Sequence, residues 1–338
     1  MPTNRPAALL AYSTAINPDT VTAAQRRQLE TMVELLRATP VENLDDPDLH
    51  PLLARVEVIV TGWGLPPLTA DVLGRAPRLR LVAHLGGTVK ALLPRETWQR
   101  GIAVTHAAVA NALPVAEYTL AAILFSNKQA FRMRRKYAET RTSLRQWSAN
   151  LPGLGNYRKR IGIVGASRIG RRVAELLRPF DFEVLIHDPY LAPGEAAALG
   201  ARLAALDELM AYCDVVSLHA PVTDETRGMI DRRRLALLRD GAVLINTARG
   251  VIVDQEALID ETRSGRIDAV LDVTEPDTLP ADSPLYDIAN VFLTPHIAGA
   301  LGSETQRMTD VILAEIGRFL RGEPLEHAVL AADLGRIA

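Results

Sequence analysis

The sequence predicts an α/β protein of two doubly wound parallel-sheet domains, one inserted into the other. Three observations carry that expectation. Short apolar runs alternate with helix-like segments almost throughout the 338 residues. The run Ile161–Val164 opens onto closely spaced glycines, Gly165 and Gly170, and then a helical pattern. Two break points, Asn111–Pro114 and Pro295–Gly299, bracket the middle of the chain. Apolar strands separated by helices imply parallel sheets covered on both faces, and a chain this long exceeds one typical core.

In the first third the candidate strands are Ala7–Tyr12, Val56–Val60, Leu79–Ala83 and Ile102–Thr105. From the middle onward they are Ile161–Val164, Glu183–Ile186, Asp214–Leu218, Ala242–Asn246, Ala269–Val273 and Val291–Thr294. Helical spacing is read over Thr22–Arg37, Arg168–Leu177, Asp254–Arg263 and Ser303–Leu320. A long helix is expected from Val115 to about Tyr137, with Pro114 suited to its first turn. Ser143–Lys159 reads as an irregular connection. Residues 112–298 are then the inserted nucleotide-binding domain, and 1–111 with 299–338 the second, discontinuous domain. A ligand is expected in the cleft between them.

A strand that ends in a glycine turn points the next helix's free N–H groups and positive dipole end at a phosphate. Ser167 stands where the second glycine of the usual fingerprint belongs. Asp188 closes the next apolar run, eighteen residues beyond Gly170, close to the spacing of an acid that binds a ribose 2′-hydroxyl.

Bulk properties narrow the class. A formal net charge of −2 argues against nucleic acid or an anionic membrane as the main partner. No apolar run is expected to approach the length of a membrane span, and the N-terminus lacks a signal-peptide layout. Cys213 is the only cysteine, so no internal disulfide forms and a cytoplasmic setting is expected, with Cys213 a core residue. The short tail beyond the last helix leaves no appended effector domain in the expectation. No metal-ligand spacing is present.

Chemistry gathers at the ends of the later strands, where open parallel sheets bind ligands. Arg249 follows Ala242–Ala248, Asp272 closes Ala269–Leu271, and His296 follows Val291–Pro295. An Arg can hold a carboxylate with two parallel hydrogen bonds. A His can exchange a proton with an oxygen near neutral pH, and a bonded carboxylate fixes its tautomer. Such a set, beside a nicotinamide, is what oxidation of an α-hydroxy acid requires.

At this point the chain resembles the D-isomer-specific 2-hydroxyacid dehydrogenases. The resemblance is carried by Gly162–Gly170, Ser217–Thr223, Leu244-Ile-Asn-Thr-Ala-Arg-Gly250, Leu271–Val273, Thr294-Pro-His-Ile-Ala-Gly299 and Val115-Ala-Glu117. It implies a Rossmann NAD-binding domain inserted into a flavodoxin-like substrate domain, and a homodimer built partly through the helix after Pro114. Arg249 is implied to bind the substrate carboxylate and carbonyl, and His296 to be the proton donor in reduction. Gly165, Ser167, Gly170 and the backbones of Arg168 and Ile169 are implied to meet the pyrophosphate, and Asp188 the adenine ribose. His219, Thr247, Ala248 and Asp272 are further implied cofactor contacts, Asp272 near the nicotinamide carboxamide. Gly86, Gly87 and Thr88 match the loop that holds a substrate carboxylate. In the family the acid sits about five positions after the matching aspartate, which selects Asp277, with Glu275 the alternative.

Ser167 is expected to preserve phosphate binding, its hydroxyl serving as a donor. His84 and Lys90 flank the loop glycines, where a substrate anion and a solvated surface role compete. The sequence thus points to an NAD-dependent enzyme interconverting a small D-2-hydroxy acid and its 2-keto acid, of the glyoxylate- or hydroxypyruvate-reductase kind. Alternatives are a same-fold dehydrogenase of formate or phosphite, or an NAD-sensing protein of the co-repressor kind.

Overall fold

A computed structural model of the chain describes residues 5–16, 18–142 and 153–335. Two compact units divide it, one formed by Met1–Ala112 with Ala300–Ala338 and the other by Leu113–Gly299. The first holds a five-stranded parallel sheet of β1 (Ala7–Ala11), β2 (Glu34–Leu35), β3 (Val58–Gly62), β4 (Leu81–Leu85) and β5 (Ala103–His106), in the order β2-β1-β3-β4-β5. The second holds β6 (Arg160–Val164), β7 (Glu183–His187), β8 (Arg202–Leu203), β9 (Val215–Leu218), β10 (Val243–Asn246), β11 (Asp268–Leu271) and β12 (Val291–Leu293). Their order, β12-β11-β10-β9-β6-β7-β8, reverses direction between β6 and β9. Both sheets are parallel, as the alternating pattern predicts.

The strands are apolar on both faces because helices cover both. In the larger sheet Val164, Leu185, Leu218 and Leu244 face one core, while Ile163, Ile186, Ile245 and Val270 face another. Helix Arg168–Leu177 has the expected bounds: Ser167 caps it, and Val173, Ala174 and Leu177 bury one stripe. Gly162 lets helix Leu206–Tyr212 lie directly on β6. A Cβ there would fall 2.4 Å from Leu209 Cδ2 and 3.1 Å from Cys213 Sγ. Burial pushes the Cys213 thiol up to about 12.

Several boundaries differ from the sequence reading. The helix expected over Thr22–Arg37 spans Ala23–Met32, because extended Val33 turns its side chain into the core and Glu34–Leu35 pair with β1. The strands expected at Val56–Val60 and Leu79–Ala83 each sit two residues later. Val56 instead bonds back to Leu52, and the register Ala8 to Val58 to Leu81 sets the frame. The long helix begins at Ala108, not beside Pro114, and breaks at Gln129 in the left-handed region before a second helix, Ala130–Thr140. Pro114 is therefore an interior helix residue that brings no N–H to the carbonyl four residues earlier.

That helix, Ala108–Asn127, has a mean hydropathy of 1.5 and is long and apolar enough by composition to cross a membrane. The sequence reading missed it because Asn111, Pro114 and Glu117 interrupt the apolar run; Ala116, Ala122 and Ile123 are buried in the protein. Of the expected irregular connection, residues 143–152 lie outside the described residues, and 153–159 hold neither helix nor strand.

Filling the Gly162 contact tests the packing. Gly162→Ala should lower unfolding stability by about 1–3 kcal/mol, read as a lower urea midpoint; an unchanged midpoint would contradict this close approach.

Candidate active site

The C-terminal ends of β6, β9, β10 and β11, with the segment after β12, carry the chemistry. At the first, Gly165 (φ +99°) packs on the next strand end: a Cβ there would lie 2.5 Å from the Ala220 nitrogen. A Cβ on Gly170 would lie 2.0 Å from the Gly165 carbonyl oxygen. Only glycine fits either place, and the helix N-terminus is left facing outward as a cradle for an anion. The Ser167 hydroxyl accepts from the Gly170 N–H at 3.3 Å, a capping duty that explains why serine serves here. Arg168 is exposed and Ile169 half-buried at the same helix start. Asp188 accepts from the Ala166 N–H at 2.7 Å and the Tyr190 N–H at 2.8 Å, tying the end of β7 to the glycine turn.

His219 lies beneath this turn, 3% exposed, with Nε2 at 2.9 Å from Ser217 Oγ. Its Nδ1 is buried without a hydrogen-bond partner among the described residues. Burial pushes its pKa down to about 3, so the ring is neutral. Thr247 bonds Thr119 at 3.0 Å, and both are buried.

Asn246 shapes the turn that carries Arg249. Its carbonyl oxygen accepts from the Ala248 N–H at 3.0 Å, and its amide donates to the Arg249 carbonyl at 2.9 Å. Gly250 then passes so close to Thr274 that a Cβ would fall 2.1 Å from its carbonyl carbon. Part of the Arg249 side chain reaches solvent. Surrounding protein still desolvates the guanidinium and lowers its pKa, while the Asp277 charge opposes that shift.

His296 sits in the left-handed region at φ +55°, which a non-glycine residue holds only when its surroundings impose it. Asp272 imposes it. Its carboxylate, 2% exposed, accepts from Thr294 Oγ1 at 2.7 Å and from the N–H groups of Ile297 and Ala298 at 2.8 Å each. Its carbonyl accepts from the His296 N–H at 2.9 Å. The carboxylate implied to lie near a nicotinamide is thus committed to the loop that presents His296. The ring's Nδ1 stands 3.1 Å from both oxygens of Asp277. Glu275 is exposed, and its backbone is clamped by the side chain of Gln255. The geometry brings Arg249, Asp277 and His296 together and leaves Glu275 outside.

Residues 120–298 match the family model for the NAD binding domain of the D-isomer specific 2-hydroxyacid dehydrogenases. The chain belongs to this family. Among curated relatives it is 37% identical over 318 residues to a D-3-phosphoglycerate dehydrogenase of Mycobacterium leprae, covering 91% of this chain and 58% of that protein. It therefore spans little more than half the length of that relative. A glyoxylate reductase of Korarchaeum cryptofilum is 33% identical, covering 76% of this chain and 78% of its own. Among solved structures, a phosphoglycerate oxidoreductase from Rhizobium etli superposes with a TM-score of 0.78 at 27% identity, covering 96% and 98%. The unit Leu113–Gly299 is accordingly an NAD-binding domain, and its close glycine contacts at the start of helix Arg168–Leu177 fit that cofactor's pyrophosphate.

In the other unit of this dehydrogenase-family chain, the loop Gly86–Thr88 follows β4. Gly86 is buried, and Gly87 and Thr88 are half-buried. Against the surface role considered for it, His84 is 4% exposed, bonds Thr61 Oγ1 at 3.0 Å, and lies under Gly86 so closely that a Cβ would fall 2.3 Å from Nε2. Burial and neighbouring His106 push its pKa down to about 4. Lys90 is exposed. Asn246 and Gln255 escaped the sequence reading; a polar residue ending an otherwise apolar strand was the available signal for the first.

The two buried histidines make stability pH-dependent. Both are neutral in the fold, so their contribution is complete above pH 6.5. It is lost as the unfolded chain takes up protons the folded one resists, down to about pH 4 for His84 and 3 for His219. Between pH 7 and 5 each should cost about 2 kcal/mol of unfolding free energy. Urea titrations at both pH values should show a shallower loss in His84→Gln and His219→Gln; equal losses would refute the assignment.

Proposed function

We propose that the protein is an NAD-dependent oxidoreductase that interconverts a small D-2-hydroxy acid and its 2-keto acid. The observation that carries this reading is the trio Arg249, Asp277 and His296 on an NAD-binding domain, with His296 Nδ1 on Asp277 and Nε2 left to face a substrate. Arg249 supplies a planar fork for the substrate carboxylate. In reduction, His296 gives the Nε2 proton to the carbonyl oxygen as it gains charge; in oxidation Nε2 takes the hydroxyl proton. Asp277 keeps the proton at Nδ1, so that one tautomer faces the substrate and the imidazolium is offset by a carboxylate. NAD, when bound, supplies the hydride acceptor or donor. Asp188 receives its adenine ribose hydroxyls, and the turn Gly165–Gly170 its pyrophosphate.

Relatives named for phosphoglycerate and glyoxylate support substrates of two or three carbons, and within that range our reading is the glyoxylate- or hydroxypyruvate-reductase kind, with 3-phosphohydroxypyruvate as the competing substrate. A reducing cytoplasmic setting fits the single buried cysteine, and a homodimer fits the exposed Phe125 on helix Ala108–Asn127.

The direct test is a panel of 2-keto acids (glyoxylate, hydroxypyruvate, pyruvate, 3-phosphohydroxypyruvate, phenylpyruvate) followed by NADH absorbance. Turnover of a small member is expected; a protein that binds NADH yet reduces none of them would overturn the reading. Asp277→Asn should lower kcat about a hundredfold with NADH affinity intact, whereas Glu275→Gln should change kcat less than about twofold. The reverse ranking would move the acid to Glu275. Arg249→Lys keeps the charge but loses the fork, so KM for the keto acid should rise about tenfold or more. A wild-type KM would place the carboxylate elsewhere.

A further inference from the structure

Discrimination between NAD and NADP is usually read from the acid at the end of the second strand of such a domain and from any arginine close after it. Here Pro189, Tyr190 and Leu191 follow Asp188, and none is a cation. The fold supplies one from another direction. Arg171, the residue after Gly170, turns back over the glycine turn and donates from Nε to the Ala166 carbonyl at 3.0 Å. The N–H of that same Ala166 is bonded to Asp188 Oδ2 at 2.7 Å. A cation and an acid therefore share one residue as anchor, at the place proposed above for the adenine ribose.

Arg171 is also tethered. Its second terminal nitrogen meets Glu195 Oε1 at 3.1 Å, and Glu195 is itself held by the Ala192 N–H at 3.1 Å through Oε2. The pair is open to solvent, at 41% and 49% exposure, so it holds weakly and can be exchanged for a stronger partner. A phosphate dianion is such a partner for a guanidinium.

We propose that Arg171 is a latent ligand for the 2′-phosphate of NADP, and that Asp188 and Glu195 together hold it in check. Asp188 repels the phosphate where it would sit, while Glu195 neutralises and diverts the one side chain that would welcome it. Cofactor preference then rests on three residues from three segments. The proposal rests on the ribose placement at Asp188, and its test separates the two.

The measurement is direct binding of NADH and NADPH by fluorescence titration without substrate, so that turnover plays no part. Wild-type protein should prefer NADH by at least about tenfold. Absence of NADH binding would unseat the cofactor placement itself, before any question of Arg171 arises. Asp188→Asn, which keeps an acceptor for Ala166 but removes the charge, should raise NADPH affinity at least about tenfold. Adding Arg171→Ala should cancel that gain, and adding Glu195→Gln should enlarge it about threefold. Asp188→Asn also touches the glycine turn, so Glu195→Gln alone serves as the second test: a modest NADPH gain that Arg171→Ala removes. Full NADPH affinity in Asp188→Asn after loss of Arg171 overturns the proposal, as does no NADPH gain in either single variant with NADH binding and Tm intact.

Discussion

The buried carboxylate of Asp272 is the interaction on which the candidate site depends. Three donors from a loop more than twenty residues further along the chain converge on it, and its own carbonyl accepts from His296. A carboxylate this deep costs heavily unless it is fully hydrogen-bonded, and charge-assisted bonds to N–H groups meet that demand. In return the loop has no slack. His296 is fixed in a left-handed conformation, and its ring is thereby set against Asp277. Remove the anchor, and His296 loses both its backbone geometry and its carboxylate partner.

The same economy recurs around the rest of the site. Asn246 bonds both ends of the turn at Arg249, Gln255 bonds both backbone groups of Glu275, and Asp188 bonds the glycine turn to β7. Each polar side chain stitches a loop across two segments, so Arg249 and His296 stand on fixed supports. Histidines divide accordingly: His84 and His219 are sealed in and neutral, while His296 keeps 47% of its side chain exposed and has a carboxylate partner.

Much of this was legible in the residues. Helix Arg168–Leu177 and most strands declare themselves because Ser167 is a strong cap and the apolar runs are buried on both sides. The short strands β2 and β8 do not, since Glu34–Leu35 and Arg202–Leu203 are edge pairs defined only by their neighbours. The two-residue offset of β3 and β4 has the same origin, because register is a property of the sheet. Arg249 and His296 were readable as candidates from chemistry and spacing, and Asp277 from the family resemblance. The anchoring duty of Asp272 was not, because its partners are backbone groups of Ile297 and Ala298 that no side-chain pattern reveals. The surface role weighed for His84 failed for a related reason: its burial depends on Thr61 and on Gly86, which makes room for the ring.

Cys213, the only thiol in the sequence, is fully buried against β6, and its surroundings hold it protonated far above neutral pH. A thiol in that state neither ionises nor meets reagents that need the thiolate. In this chain the folded environment thus shields Cys213 from maleimides and iodoacetamides. Cysteines introduced one on each unit become the reactive handles for a pair of fluorophores or spin labels without first deleting a native one, and the distance between the units can then be followed in solution.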